Sequence, residues 1–128
     1  MESRPEAHPS TYKERMRSEL GMLVPPILEE AVTIIDSALE EDVGLSEETK
    51  ASIKAVLTSY QPSDFIRRVM EVGFYFEQSD DIAKREENLR KDLTEVLLTE
   101  KIDEVVPFAE RAQYAEFVEK ASAKLITQ

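Results

Sequence analysis

Apolar residues recur every three to four positions from Tyr12 to Leu125, broken at Pro25-Pro26, Gly44, Gln61-Pro62, the polar run Gln78–Asp81 and Pro107. That spacing is helical, and the breaks divide it into segments. A first helix is expected from Ser10 or Thr11, where Thr11 and Glu14 have capping-box spacing. Tyr12, Met16, Leu20 and Leu23 form its apolar face, and Pro25-Pro26 is expected to end or sharply redirect it. A second helix, about Pro26 to Glu41, carries Ile27, Leu28, Ala31, Val32, Ile34, Ile35, Ala38 and Leu39 over an arc of roughly 160°. Gly44 supplies the stop, and Ser46 caps a third helix whose narrower face holds Ile53, Val56, Leu57 and Tyr60.

The fourth segment, about residues 63–78, is the most apolar and is expected to lie at the centre. Phe65, Ile66, Val69, Met70, Val72, Gly73 and Phe76 again span roughly 160°, and Phe74 widens the arc. Arg67, Arg68, Glu71 and Tyr75 are left on the polar side, and Ser63 is the expected N-cap. Ser79 or Asp80 should cap a fifth helix with Ile82, Leu89, Leu93, Val96 and Leu97 on its face. Thr99 to Val106 is either a separate short helix or a bent continuation. Pro107 then opens the last helix, with Phe108, Tyr114, Ala115, Phe117, Val118, Ala121 and Leu125 facing inward. The pattern predicts an all-α fold, a bundle of about six helices around the central one. Residues 1–9, with Pro5 and Pro9 among polar residues, are expected to be a disordered tail, and residues 10–128 one helical domain.

Composition narrows this further. Three glycines in 128 residues are too few for the frequent tight turns of a sheet-rich fold. No run approaches the ~18 apolar residues of a membrane span, and the N-terminus lacks a signal-peptide core, so a cytoplasmic protein is expected. The 27 acidic and 16 basic residues leave a net charge of −11. Nine of the acids, and no base, lie between Arg17 and Lys50. Direct nucleic-acid binding, which needs a basic stripe, is disfavoured; a basic partner protein is favoured.

Chemistry is poorly served. With no cysteine and a single histidine, His8, there is no thiol or Ser-His-Asp nucleophile and no zinc or Glu-x-x-His di-iron site. Glycine-rich phosphate motifs are absent. Glu40-Glu41-Asp42-Val43-Gly44 lacks the ligand spacing of a calcium loop. No cofactor or metal is expected, and a non-catalytic protein is.

Two constellations stand out. Glu29, Asp36 and Glu40 share one face of the second helix, flanked by Glu30 and Glu41. Their plain reading is a solvated acidic face; the sharper one is a docking surface for a basic protein segment. Arg67 and Arg68 lie in the first turn of the central helix, where cations oppose the helix dipole. They can pair with Glu71, or reach an acid on another helix, for which Glu86 is a candidate. Tyr75 beside them suits an interface. The aromatic residues are read as core, with a pocket between helices as the alternative. The expected function is therefore a regulatory or interaction domain that docks a partner through residues 18–49. The alternative is a sensor or carrier holding an apolar ligand between helices. Self-association as a homodimer fits the breadth of the apolar arcs.

Overall fold

The computed structural model describes residues 9–41, 44–72 and 81–126. These are all-helical, with no strand among the described residues. The α-helices are α1 (Pro9–Leu39), α2 (Glu47–Ser59), α3 (Pro62–Val72), α4 (Ile82–Val96) and α5 (Arg111–Ile126). A π-helical stretch, Leu97–Lys101, and two 3-10 turns, Asp103–Val105 and Phe108–Glu110, join α4 to α5.

The expected break at Pro25-Pro26 does not occur. The first and second predicted helices are one helix of 31 residues with both prolines inside it, about 46 Å long at 1.5 Å per residue. It already begins at Pro9, so Thr11 lies within the helix and not at its N-cap position. The physical reason is phase. Met16, Leu20, Val24, Ile27, Leu28, Ala31, Ile35, Ala38 and Leu39 are all buried, and at 100° per residue they keep to one arc of about 140° across the prolines. The carbonyls deprived of a donor by Pro25 and Pro26 are those of Gly21 and Met22. Both residues are exposed, Met22 at 59%, so the orphaned acceptors stand on the water side. The helix end tightens through Glu40 N–H to Ser37 and Glu41 N–H to Ala38. Gly44 follows with φ +75°, the left-handed conformation that glycine takes without strain.

All four other α-helices pack against α1. The segment expected at the centre is described only as far as Val72, and there Phe65 is fully buried while Ile66, Val69 and Met70 pack against the core half-exposed. Among the described residues the hub is α1. Phe74, Tyr75 and Phe76 lie outside the described residues, as do residues 1–8 of the expected tail.

Local chemistry sets the helix starts. Ser46 caps α2 as expected, accepting from Thr49 N–H at 3.1 Å. In α3 the cap is Gln61, two residues earlier than Ser63. Pro62 takes the first helical position, and the Asp64 carboxylate reaches back to Gln61 N–H at 2.9 Å. Asp81, rather than Ser79 or Asp80, caps α4 by accepting from Ala83 N–H at 3.0 Å. After α4 the ladder widens: Ile102 N–H donates to Leu97 at 2.9 Å, five residues back. The buried carbonyl of Leu98, passed over by that bond, accepts the Tyr114 hydroxyl from α5. Tyr114 and Phe117 then lie with ring centroids 6.0 Å apart, and with Ala121 and Leu125 they close the core.

Three expected core positions are at the surface: Ile82, Phe108 and Ala115, the last about 80° outside the buried stripe of α5. Ile82 is 44% exposed and Phe108 91% exposed. Ile82 stands in the first turn of α4. Phe108 belongs to a 3-10 turn, not to α5, and its phase is about 100° outside the stripe of Tyr114, Phe117, Ala121 and Leu125. The buried charge on α4 is Arg85, one residue before the flagged Glu86. Its guanidinium makes a two-pronged bond to Glu19 of α1, at 2.7 and 2.9 Å, with side chains only 10% and 15% exposed. Arg85→Ala, which breaks this nearly buried pair, should cost about 3–5 kcal/mol, and a double-mutant cycle with Glu19→Leu should show strong coupling. Ile35→Ala should cost about 2–5 kcal/mol, against less than about 0.5 for Met22→Ala. Urea unfolding measures all of these; a neutral Ile35→Ala would remove α1 from the centre of the core.

Candidate functional site

The acidic row of α1 meets bases brought by other helices. Lys54 of α2 lies 2.6 Å from Glu40 and 3.9 Å from Asp36. Arg90 of α4 lies 3.1 Å from Glu30, and Lys124 of α5 bonds Glu41. Glu29 is exposed; its carbonyl accepts from the Thr33 hydroxyl at 2.9 Å. The hydrogen bond from Lys54 lowers the Glu40 carboxyl below its usual range, and the same bond raises the Lys54 ammonium. The hydrogen bond from Lys124 does likewise to Glu41. None of these three bases is on α1, so the row reads as uncompensated in sequence and is largely compensated in space.

Arg67 and Arg68 diverge. Arg67 pairs within its own helix with Asp64, at 3.1 Å, rather than with Glu71. Arg68 reaches another segment and forms a two-pronged bond to Glu100, at 2.8 and 3.1 Å. Glu86 is half-buried. Tyr75 lies outside the described residues.

Arg67 stands between two recesses. The polar one, about 530 Å³, is bounded by Tyr60, Arg68, Lys101 and Glu104. Lys101 sits over the Tyr60 ring, 5.9 Å from its centroid. Burial raises the Tyr60 phenol above its usual value. Two of its cations are already paired, Arg67 with Asp64 and Arg68 with Glu100.

The second recess is a groove of about 730 Å³ between the N-terminal half of α1 and α3. Tyr12 and Met16 from α1 meet Ile66 and Met70 from α3, with Lys13, Arg17, Ser63, Arg67 and Glu71 around the edge. Met16 is buried and forms the floor, whereas Tyr12, Ile66 and Met70 are half-exposed. Three cations to one acid at this edge contrast with the net charge of −11. The sequence reading missed the groove, because it treated Tyr12, Met16, Ile66 and Met70 as core. The helical spacing of Lys13 and Arg17, one turn apart and bracketing Met16, was the available signal.

Comparison with known proteins returns no matching family model, curated protein or solved structure. Among the described residues no cluster of three or more acidic, histidine or cysteine side chains is placed to hold a metal ion. No helix among them is long and apolar enough to cross a membrane.

One carboxylate serves the fold rather than a ligand. Glu110 accepts from Ser46 N–H at 2.7 Å and from the Ser46 and Thr49 hydroxyls at 3.1 and 2.7 Å. It completes the N-terminus of α2, where an anion also complements the helix dipole. The Ser46 backbone bond, ahead of the Thr49 bond, lowers its carboxyl below the ordinary 4.5. A depressed folded-state value means that the stabilisation is complete above the ordinary value and is lost as pH falls below it. Glu110→Gln should therefore unfold at lower urea than the natural chain at pH 7, with the gap shrinking in acid. A gap independent of pH would remove the ionised carboxylate from this role.

Proposed function

We propose that this chain is a non-catalytic interaction domain that works by docking another protein, and that the groove between α1 and α3 is its contact surface. One observation carries this reading: apolar side chains of two helices lie half-exposed along a concave strip with a charged rim. That is the anatomy of an interface, with an apolar centre and a polar border. The two methionines add adaptability, since an unbranched thioether repacks around different contours. Tyr12, Ile66 and Met70 are only half-buried there, which suits a segment of a partner better than an enclosed small molecule. An apolar small ligand is the second reading, favoured by a volume within the ~300–1,000 Å³ of ligand sites.

The acidic face of residues 18–49 is a second surface within the same function. Glu40 and Glu41 stay 66% and 55% exposed despite their ion pairs. Exposed pairs are weak, so a basic partner could replace Lys54 and Lys124 there.

Met70→Asp places a charge in the groove at a half-exposed position, and Glu29→Gln/Asp36→Asn/Glu40→Gln discharges the acidic row. With both variants melting like the natural chain, affinity capture from lysate should lose its specific partner by at least about tenfold with Met70→Asp. The triple variant should retain it. The reverse result would move the contact to the acidic face. Native mass spectrometry of the purified chain showing a bound apolar molecule, lost in Met70→Asp, would replace the docking reading with the carrier.

A further inference from the structure

The rim of the α1–α3 groove also specifies the chemistry of what it holds. Lys13 and Arg17 of α1 are exposed and have no ion pair among the described residues, although the chain has 27 acids for 16 bases. Arg67 faces them from α3. Its pair with Asp64 is 71% exposed on the arginine side, and such surface pairs are weak enough to be exchanged. Glu71 is the one acid on the rim. In the acidic row of the same helix, Lys54, Arg90 and Lys124 answer the carboxylates from neighbouring helices. Lys13 and Arg17 have no such answer among the described residues, which leaves the rim with cations suited to an acid supplied by a partner.

Length narrows the occupant further. Ser63 to Glu71 spans eight steps of α3, or about 12 Å at 1.5 Å per residue. Anchors at positions i, i+4 and i+7 of a helix span about 10.5 Å, which fits this strip. Nucleic acid presents negative charge too, but it lacks the apolar anchors and is repelled by a chain of charge −11.

We infer that the groove binds an acidic amphipathic helix of a partner protein, with apolar anchors on Met16, Ile66 and Met70 and carboxylates on Lys13, Arg17 and Arg67. This rests on the groove being the docking surface. It reverses the polarity expected from the overall charge: the partner segment is acidic, not basic.

The test uses two fluorescein-labelled peptides of about 18 residues, long enough to form helix. They share one leucine face at i, i+4 and i+7; one carries glutamates on its flanks and the other lysines. Anisotropy titrations use the full chain at about 0.05 and 0.5 M salt. The acidic peptide should bind at least about tenfold more tightly than the basic one at low salt, and the preference should largely vanish at high salt. Arg17→Glu with Arg67→Glu, both exposed, should abolish or invert the preference without changing the melting curve. Met70→Asp should weaken the acidic peptide at both salt concentrations. Equal binding of the two peptides, lost with Met70→Asp, would overturn the acidic occupant and leave the groove as a docking site. Binding indifferent to Met70→Asp would overturn both. Failure of both peptides to bind, with or without binding of dodecanoate in their place, would overturn the helix.

Discussion

The apolar stripe of α1 passes through Pro25 and Pro26 without losing phase, and the arrangement of the other helices depends on that continuity. An interior proline costs about 3 kcal/mol or more. Each of the larger buried side chains along α1, from Met16 to Leu39, contributes about 1.5–3 kcal/mol when removed from water. A break at residue 25 would put the two halves of the stripe on different axes, and the core built on them would divide. Burial outweighs the two missing hydrogen bonds, and their carbonyl acceptors face solvent at Gly21 and Met22. The long helix then offers its N-terminal half to α3, while Glu40 and Glu41 at its other end meet α2 and α5.

Polar groups fix where the other helices sit on this rod. The Glu19–Arg85 pair joins α1 to α4 in a nearly dry setting, where two-pronged geometry specifies how the helices meet. Glu110 locks the turn before α5 to the start of α2. The Tyr114 hydroxyl takes up the carbonyl that the π-helical stretch leaves without its usual donor. In each case a group that would be expensive to bury alone is matched by one from a distant part of the chain.

The same packing redistributes the charge. Lys54, Arg90 and Lys124 are carried to the acidic half of α1, which lowers the field of a segment that looks uniformly negative in one dimension. The N-terminal half of α1 keeps its cations, and α3 adds Arg67 beside them over an apolar floor. The molecule thus carries a small basic groove on a strongly acidic body. Such local contrast steers a partner more selectively than net charge, because the field within a Debye length is set by the nearest groups.

Helical class, the cap at Ser46, the glycine at residue 44 and most core positions of α1, α4 and α5 were legible in sequence. Each depends on residues a few positions apart, where periodicity and capping chemistry act. Continuity through Pro25-Pro26 was also legible, in the unbroken phase from Met16 to Leu39, but proline outweighed it as a local signal. Tertiary structure alone decided the burial of Arg85, the exposure of Phe108, the partner of Arg68 and the pairing of the acidic row. Those outcomes depend on groups remote in sequence, such as Glu100, 32 positions from Arg68, and Lys124, 83 from Glu41. The groove belongs to this second class. Its residues have the spacing of core residues on both helices, and only the way α3 lies across α1 leaves that strip half-uncovered.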